Sequence, residues 1–126
     1  MIKKYNKLVR DRIPEIITSS GNECRTKTLT DTEYLAMLDA KLNEEIAEYQ
    51  QDKNIEELAD IWEVIRSIVT ARGYTWEELE TLRAKKEEAR GGFSKKVFLI
   101  ETVEKLKADL ISTKIVVIKS ARFAPM

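Results

Sequence analysis

The chain has 126 residues with 22 Lys+Arg against 22 Asp+Glu, so its formal net charge is zero and no global field favours a nucleic-acid polymer or an anionic membrane. At 43% hydrophobic and 35% charged residues it can bury one core beneath an amphipathic surface, which excludes a disordered chain and a large multidomain machine. Histidine is absent and Cys24 is the single cysteine, so Ser/His/Asp and Cys/His nucleophilic sites, disulfide frameworks and the usual structural zinc sites are excluded, and any metal chemistry must rest on carboxylates.

The N-terminal stretch MIKKYNKLVRDR carries no apolar core of the secretory kind. No apolar run approaches the ~20 residues needed to cross a bilayer, so a soluble protein in a reducing cytoplasm is expected. Pro14 can open a helix, Ile13, Ile16 and Ile17 repeat at helical spacing, and Gly21 stops it. From 23 to 29 the threonine-rich, loosely alternating segment reads as a short strand or an extended connection. Thr30-Asp31-Thr32-Glu33 has the spacing of a capping box, after which Leu35, Leu38, Leu42, Ile46 and Tyr49 define a helix ending near Asp52.

Asn54 is a good N-cap with Glu57 at the third helical position. Ile55, Leu58, Ile61, Trp62, Ile65, Ile68 and Val69 then form a broad apolar face that ends near Arg72-Gly73. A second capping box, Thr75-Trp76-Glu77-Glu78, starts a helix through Leu79 and Leu82 toward Arg90, and Gly91-Gly92 terminates it. Beyond Gly92 the short apolar run Val97 to Ile100 suggests a strand near 96–100, Val103, Leu106 and Leu110 suggest one more amphipathic helix, and Ile115 to Ile118 is β-branched. The expectation is an all-α core domain over 1–102, with 103–126 as a C-terminal extension.

Chemistry concentrates in residues 44–60, EEIAEYQQDKNIEELAD. Glu44, Glu45 and Glu48 fall late on one helix, and Glu56, Glu57 and Asp60 fall early on the next. The tight connection makes the two helices antiparallel neighbours, so the acidic groups meet. At about 100° per residue, Glu45 and Glu48 flank the apolar stripe of their helix, with Glu44 further round. Leu58, Ile61, Trp62 and Ile65 define the core face of the next helix, with Glu57 and Asp60 beside one edge. Like charges ~4 Å apart repel by about 4 kcal/mol at an effective dielectric near 20, and Lys41 and Lys53 are the only cations on or between the two acidic runs.

A hard divalent cation with an all-oxygen shell is the simplest partner for such a cluster, Mg²⁺ first and Mn²⁺ as its substitute. Mg²⁺ commonly bridges carboxylates to phosphate, which points to a phosphorylated substrate. Acidic residues at i and i+3 are also commonplace on solvated helices, and Glu56 and Glu57 complement the dipole at their helix start. That explanation fails for Glu45 and Glu48, which lie toward a C-terminal end.

These residues carry a family resemblance. Glu44-Glu45-Ile46-Ala47-Glu48 followed by Glu57-Leu58-Ala59-Asp60 resembles the Glu-Glu-x-x-Glu and Glu-x-x-Asp signature of the all-α nucleotide pyrophosphohydrolases of the MazG and phosphoribosyl-ATP pyrophosphohydrolase type. YNKLVRDRIPEII near the start and RGGF at Arg90 to Phe93 resemble the small stand-alone branch of that group. The resemblance spans about residues 5–102. It implies a helical bundle completed by subunit pairing, as a homodimer or homotetramer, and Mg²⁺-dependent hydrolysis of a nucleoside triphosphate or related nucleotide, phosphoribosyl-ATP included, to the monophosphate and pyrophosphate. The interval between the acidic groups is shorter than in many members, and the chain continues past the usual end.

On this reading Glu45, Glu48, Glu57 and Asp60 are the metal ligands, and Glu44 and Glu45 are the catalytic candidates, Glu44 as general base or outer support. Lys7, Arg10 and Arg12 form one group of candidate phosphate-binding cations, and Lys85, Lys86 and Arg90 another; Lys85-Lys86-Glu87-Glu88 equally reads as an exposed, charge-laced helix. Trp62 is expected in the core and Trp76 as a staple at its helix start. The competing reading is a non-catalytic helical interaction module whose acidic stripe is solvated or pairs with a basic partner.

Overall fold

The computed structural model describes residues 1–106. Its regular structure is all α-helical: α1 (Ile13–Ser19), α2 (Asp31–Asp52), α3 (Ile55–Ala71) and α4 (Trp76–Arg90). The described residues fall into two units, Met1–Gly91 and a second that begins at Gly92.

Local chemistry sets every boundary in the first unit. Pro14 sits in the opening turn of α1, where its missing N–H costs nothing. The capping box of α2 is complete: the Glu33 N–H donates to Thr30 Oγ1 (3.2 Å) and the Thr30 N–H donates to Glu33 Oε1 (2.9 Å). Asn54 Oδ1 caps α3 by accepting from the Glu57 N–H at 3.0 Å. At α4 Thr75 Oγ1 accepts from the Glu78 N–H (3.1 Å) and donates to the Glu78 carboxylate (3.3 Å), so this box closes through the hydroxyl. α3 ends in a Schellman motif: the Gly73 N–H donates to the Thr70 carbonyl (3.0 Å) and the Tyr74 N–H to that of Val69 (2.9 Å), with Gly73 at φ +88°.

Lys53 and Asn54 alone reverse the chain between α2 and α3. Lys53 takes the left-handed conformation at φ +55° and donates its N–H to the Tyr49 carbonyl at 2.8 Å. The two helices pack antiparallel as expected, and at the far end of the pair Arg72 reaches Asp39 at 3.3 Å. α4 leans on α3 through Trp62 and Trp76, whose ring centroids are 5.8 Å apart, and Arg66 lies over the Trp76 ring at 5.1 Å.

The buried centre of this arrangement is Leu38 and Val64 with the carboxylate residue Glu45. Here the structure departs from the angular reading. Leu58 and Trp62, expected at the core face of α3, remain exposed at 43% and 55%, and Ile46 is also exposed. Ile61 and Ile65 of the expected face are half-buried, and the buried or half-buried positions of α3 run from Glu57 and Asp60 through Ile61, Val64 and Ile65 to Ile68 and Val69. Because the apolar face of α3 is wider than one partner helix can cover, α2 takes one edge of it and Trp76 of α4 touches the other.

The strands expected near 23–29 and 96–100 do not form. Residues 23–29 carry no helix, strand or turn, and a segment with no ladder partner cannot satisfy its backbone as a strand. In the second unit a turn closes with the Lys96 N–H on the Phe93 carbonyl (3.1 Å), and 97–106 contains no helix or strand, so Val103 and Leu106 do not open the expected helix. Leu110, the β-branched run Ile115 to Ile118 and the remainder of the proposed extension lie outside the described residues.

Candidate metal centre

The two-residue turn places the late part of α2 against the early part of α3. One carboxylate oxygen from each of Glu44, Glu45 and Glu48 lies within 4.8 Å of the others, and the same holds for Glu45, Glu57 and Asp60. Glu45 belongs to both groups. Glu48 lies against Glu45 and Glu57 closely enough to act on both. The four carboxylates predicted as ligands are therefore gathered in one place, with Glu44 beside them.

Their electrostatics are uneven. Glu45 is 6% exposed, and burial pushes its carboxyl above the usual range. Lys41 opposes that through a 3.1 Å ion pair, and Glu48 reinforces it. Glu57 is pushed up in the same direction, first by loss of solvent and then by the charges of Glu48, Asp52 and Asp60. Glu44 goes the other way: the Lys7 hydrogen bond, with help from Lys41, holds it below the ordinary carboxylate value. Lys7 is raised in turn, chiefly by that same bond.

Two oxygens are left over. Glu45 Oε2 and Glu57 Oε2 are buried without a hydrogen-bond partner. A buried polar atom without a partner is costly, and a ring of carboxylate oxygens is the donor set that a hard divalent cation accepts. The residues present fit such an ion.

Lys7 and Arg10 also reach the cluster, which sequence reasoning missed. Lys7 Nζ lies 2.9 Å from Glu44 Oε1 and Arg10 Nη2 lies 2.7 Å from Asp60 Oδ1. They were expected to meet phosphate; here they meet the acids, at sequence separations of 37 and 50. No local periodicity could have signalled these pairings. Arg12 pairs with Glu15 at 3.4 Å in its own helix start. Lys85 is exposed on α4, lining a shallow groove with Glu77, Glu78, Thr81 and Leu82. Lys86 is exposed on the same helix, and Arg90 closes it as a cation in the last turn. Lys53, near the acids in sequence, turns to Gln50 and lies over the Tyr49 ring.

No family model and no solved structure matches the chain. Over 41 residues, 32% of this chain, it is 63% identical to an uncharacterized protein of Mycolicibacterium smegmatis, and the match spans 42% of that relative's length. No helix among the described residues is long and apolar enough to cross a membrane.

Proposed function

We propose that the chain is a Mg²⁺-dependent nucleotide pyrophosphohydrolase of the MazG-like kind, active in the cytoplasm on a nucleoside triphosphate or related nucleotide, phosphoribosyl-ATP included, and releasing the monophosphate and pyrophosphate. The observation that carries this reading is the junction of the two acidic groups at Glu45, with the unpartnered Oε2 atoms of Glu45 and Glu57 buried inside it. Glu45, Glu48, Glu57 and Asp60 would hold the cation, with Mn²⁺ as a substitute. Bound there, it supplies neutralisation of phosphate oxygens and a lowered pKa for a coordinated water.

The protein's own groups do the rest. Glu45, counted among the groups that would hold the cation, is a catalytic candidate through that role; Glu44, beside it and held below the ordinary carboxylate value by Lys7 and Lys41, is the candidate general base or outer support. Lys7 and Arg10 stand at the edge of the cluster, where phosphate oxygens would arrive, and a guanidinium suits their geometry. The exposed Leu58 and Trp62 support pairing of subunits as a homodimer or homotetramer, since one hairpin leaves that face uncovered.

The second reading, a non-catalytic interaction module, draws on a different fact: the Lys7–Glu44, Arg10–Asp60 and Lys41–Glu45 pairs already neutralise part of the cluster. A nucleotide panel separates the two. The enzyme releases pyrophosphate from some member with Mg²⁺ and stops when the metal is chelated; the module releases none and tolerates Glu48→Gln.

A further inference from the structure

The segment ahead of α1 has an unusual attachment. Residues 1–12 form no helix or strand, and α1 stands apart from the stack in which α2 packs on α3 and α3 on α4. Two ion pairs tie this arm to the hairpin: Lys7 to Glu44 at 2.9 Å and Arg10 to Asp60 at 2.7 Å. Both are open to water, with side-chain exposures of 40% and 28% in the first and 56% and 39% in the second. Solvated pairs of this kind are weak and exchange readily. Each ends on a carboxylate of the cluster, one in either group of three that converges on Glu45. Glu45 itself is 6% exposed and keeps one buried oxygen without a partner, so the cluster offers a cation more than the arm satisfies.

We propose that Lys7 and Arg10 are exchangeable counter-ions: they neutralise the acidic cluster while no divalent cation is bound, and they pass to the oxygens of a phosphate-bearing anion when one is, so that cation and anion bind with positive coupling. This rests on the metal-site reading above. A cation on Asp60 and its neighbours takes over the neutralising role of the guanidinium and the ammonium. The freed groups then present five N–H donors from Arg10 and a point charge from Lys7 at the edge of the same site, and phosphate is the anion such donors hold best. Arg12 pairs with Glu15 and with no carboxylate of the cluster, so it is not one of these counter-ions. Linkage makes the effect reciprocal: whatever factor the anion adds to cation affinity, the cation adds to anion affinity.

Calorimetry on the full chain tests this, with Mg²⁺ titrated alone and in the presence of inorganic phosphate. In the parent, phosphate strengthens Mg²⁺ binding by on the order of tenfold. In Lys7→Gln/Arg10→Gln, Mg²⁺ alone binds several-fold tighter than in the parent, because its competitors are gone, and phosphate no longer changes the affinity. Arg10→Gln alone, which disturbs the fold less, moves both quantities part of the way, and Lys7→Arg/Arg10→Lys restores the coupling. Trypsin gives a readout independent of binding heat: Mg²⁺ speeds cleavage after Lys7 and Arg10 in the parent. Mg²⁺ binding in the variants that equals or falls below the parent's overturns the counter-ion role and leaves the metal site standing. A parent that binds no Mg²⁺ with or without phosphate overturns both.

Discussion

Glu45 of α2 and Glu57 of α3 each hold one carboxylate oxygen, Oε2, inside the helical hairpin with no hydrogen-bond partner. They approach from opposite helices, and both carboxyls are raised above the ordinary value of 4.5, in each case first by loss of solvent. An apolar centre of Leu38 and Val64 gains nothing from a charged neighbour. Lys41, 3.1 Å from Glu45 Oε1, offsets part of that cost, and the two Oε2 atoms are what the proposed cation would satisfy.

The first prediction follows from the sign of those shifts. A carboxyl whose folded pKa is raised contributes stability that is fully present below its unfolded pKa and is lost as pH rises through the folded value. Glu33, Glu44 and Glu80 are lowered, so their contributions are present above the unfolded pKa and lost only as pH falls through their depressed values. Between 4.5 and neutrality the raised pair sets the trend. In EDTA the melting temperature should fall from about pH 5 to about pH 7.5, and Mg²⁺ should flatten that slope by favouring the ionised forms. A melting temperature that climbs across this interval in EDTA contradicts the assignment.

Removing a ligand should separate chemistry from folding. Loss of an outer partner of a metal site typically costs 10- to 100-fold, so Glu48→Gln or Asp60→Asn should lower Mg²⁺-dependent turnover by at least about 100-fold. Circular dichroism should keep nearly the parental helix signal, because both side chains lie beside the apolar centre. Unchanged turnover in both variants would remove them from the site.

Much of this was legible because it is local. Thr30, Asn54, Thr75, Gly21 and Gly73 mark helix ends through hydrogen bonds that span a few residues, and the boundaries fall where those residues put them. The meeting of Glu45 with Glu57 and Asp60 was legible for the same reason, since a two-residue turn leaves the helices one way to lie. Three things were not. The choice of Val64 over Leu58 and Trp62 depends on which edge of a wide apolar face the partner helix takes. The segment 23–29 has strand-like composition but no neighbour to pair with. Lys7 and Arg10 reach their carboxylates across the fold, and periodicity says nothing about that.

Gly73 offers a test of the turn that ends α3. Its φ of +88° is a conformation side chains rarely adopt, while the space around it is open, with nothing within 4 Å of an added Cβ. The cost of Gly73→Ala is therefore one of backbone conformation alone, about 1–2 kcal/mol. Gly73→Asn should cost less, because asparagine tolerates positive φ. Urea unfolding resolves the two; equal losses would mean that the left-handed conformation is not what the glycine provides.

The contrast between Leu38 and Trp62 tests whether the exposed face of α3 is covered by another subunit. Leu38 is 3% exposed, so Leu38→Ala removes contacts within one chain and should cost about 2–4 kcal/mol at every protein concentration. Trp62 is 55% exposed and touches Trp76 along only part of its ring. If a second copy covers it, the loss from Trp62→Ala grows with protein concentration, because the parent gains stability by association and the variant does not. Gel filtration should then show the parent at a larger size than the variant. A parent that elutes as a monomer, with a Trp62→Ala loss that is small and independent of concentration, rejects subunit pairing through this face. The carboxylate cluster would then have to work on the hairpin alone.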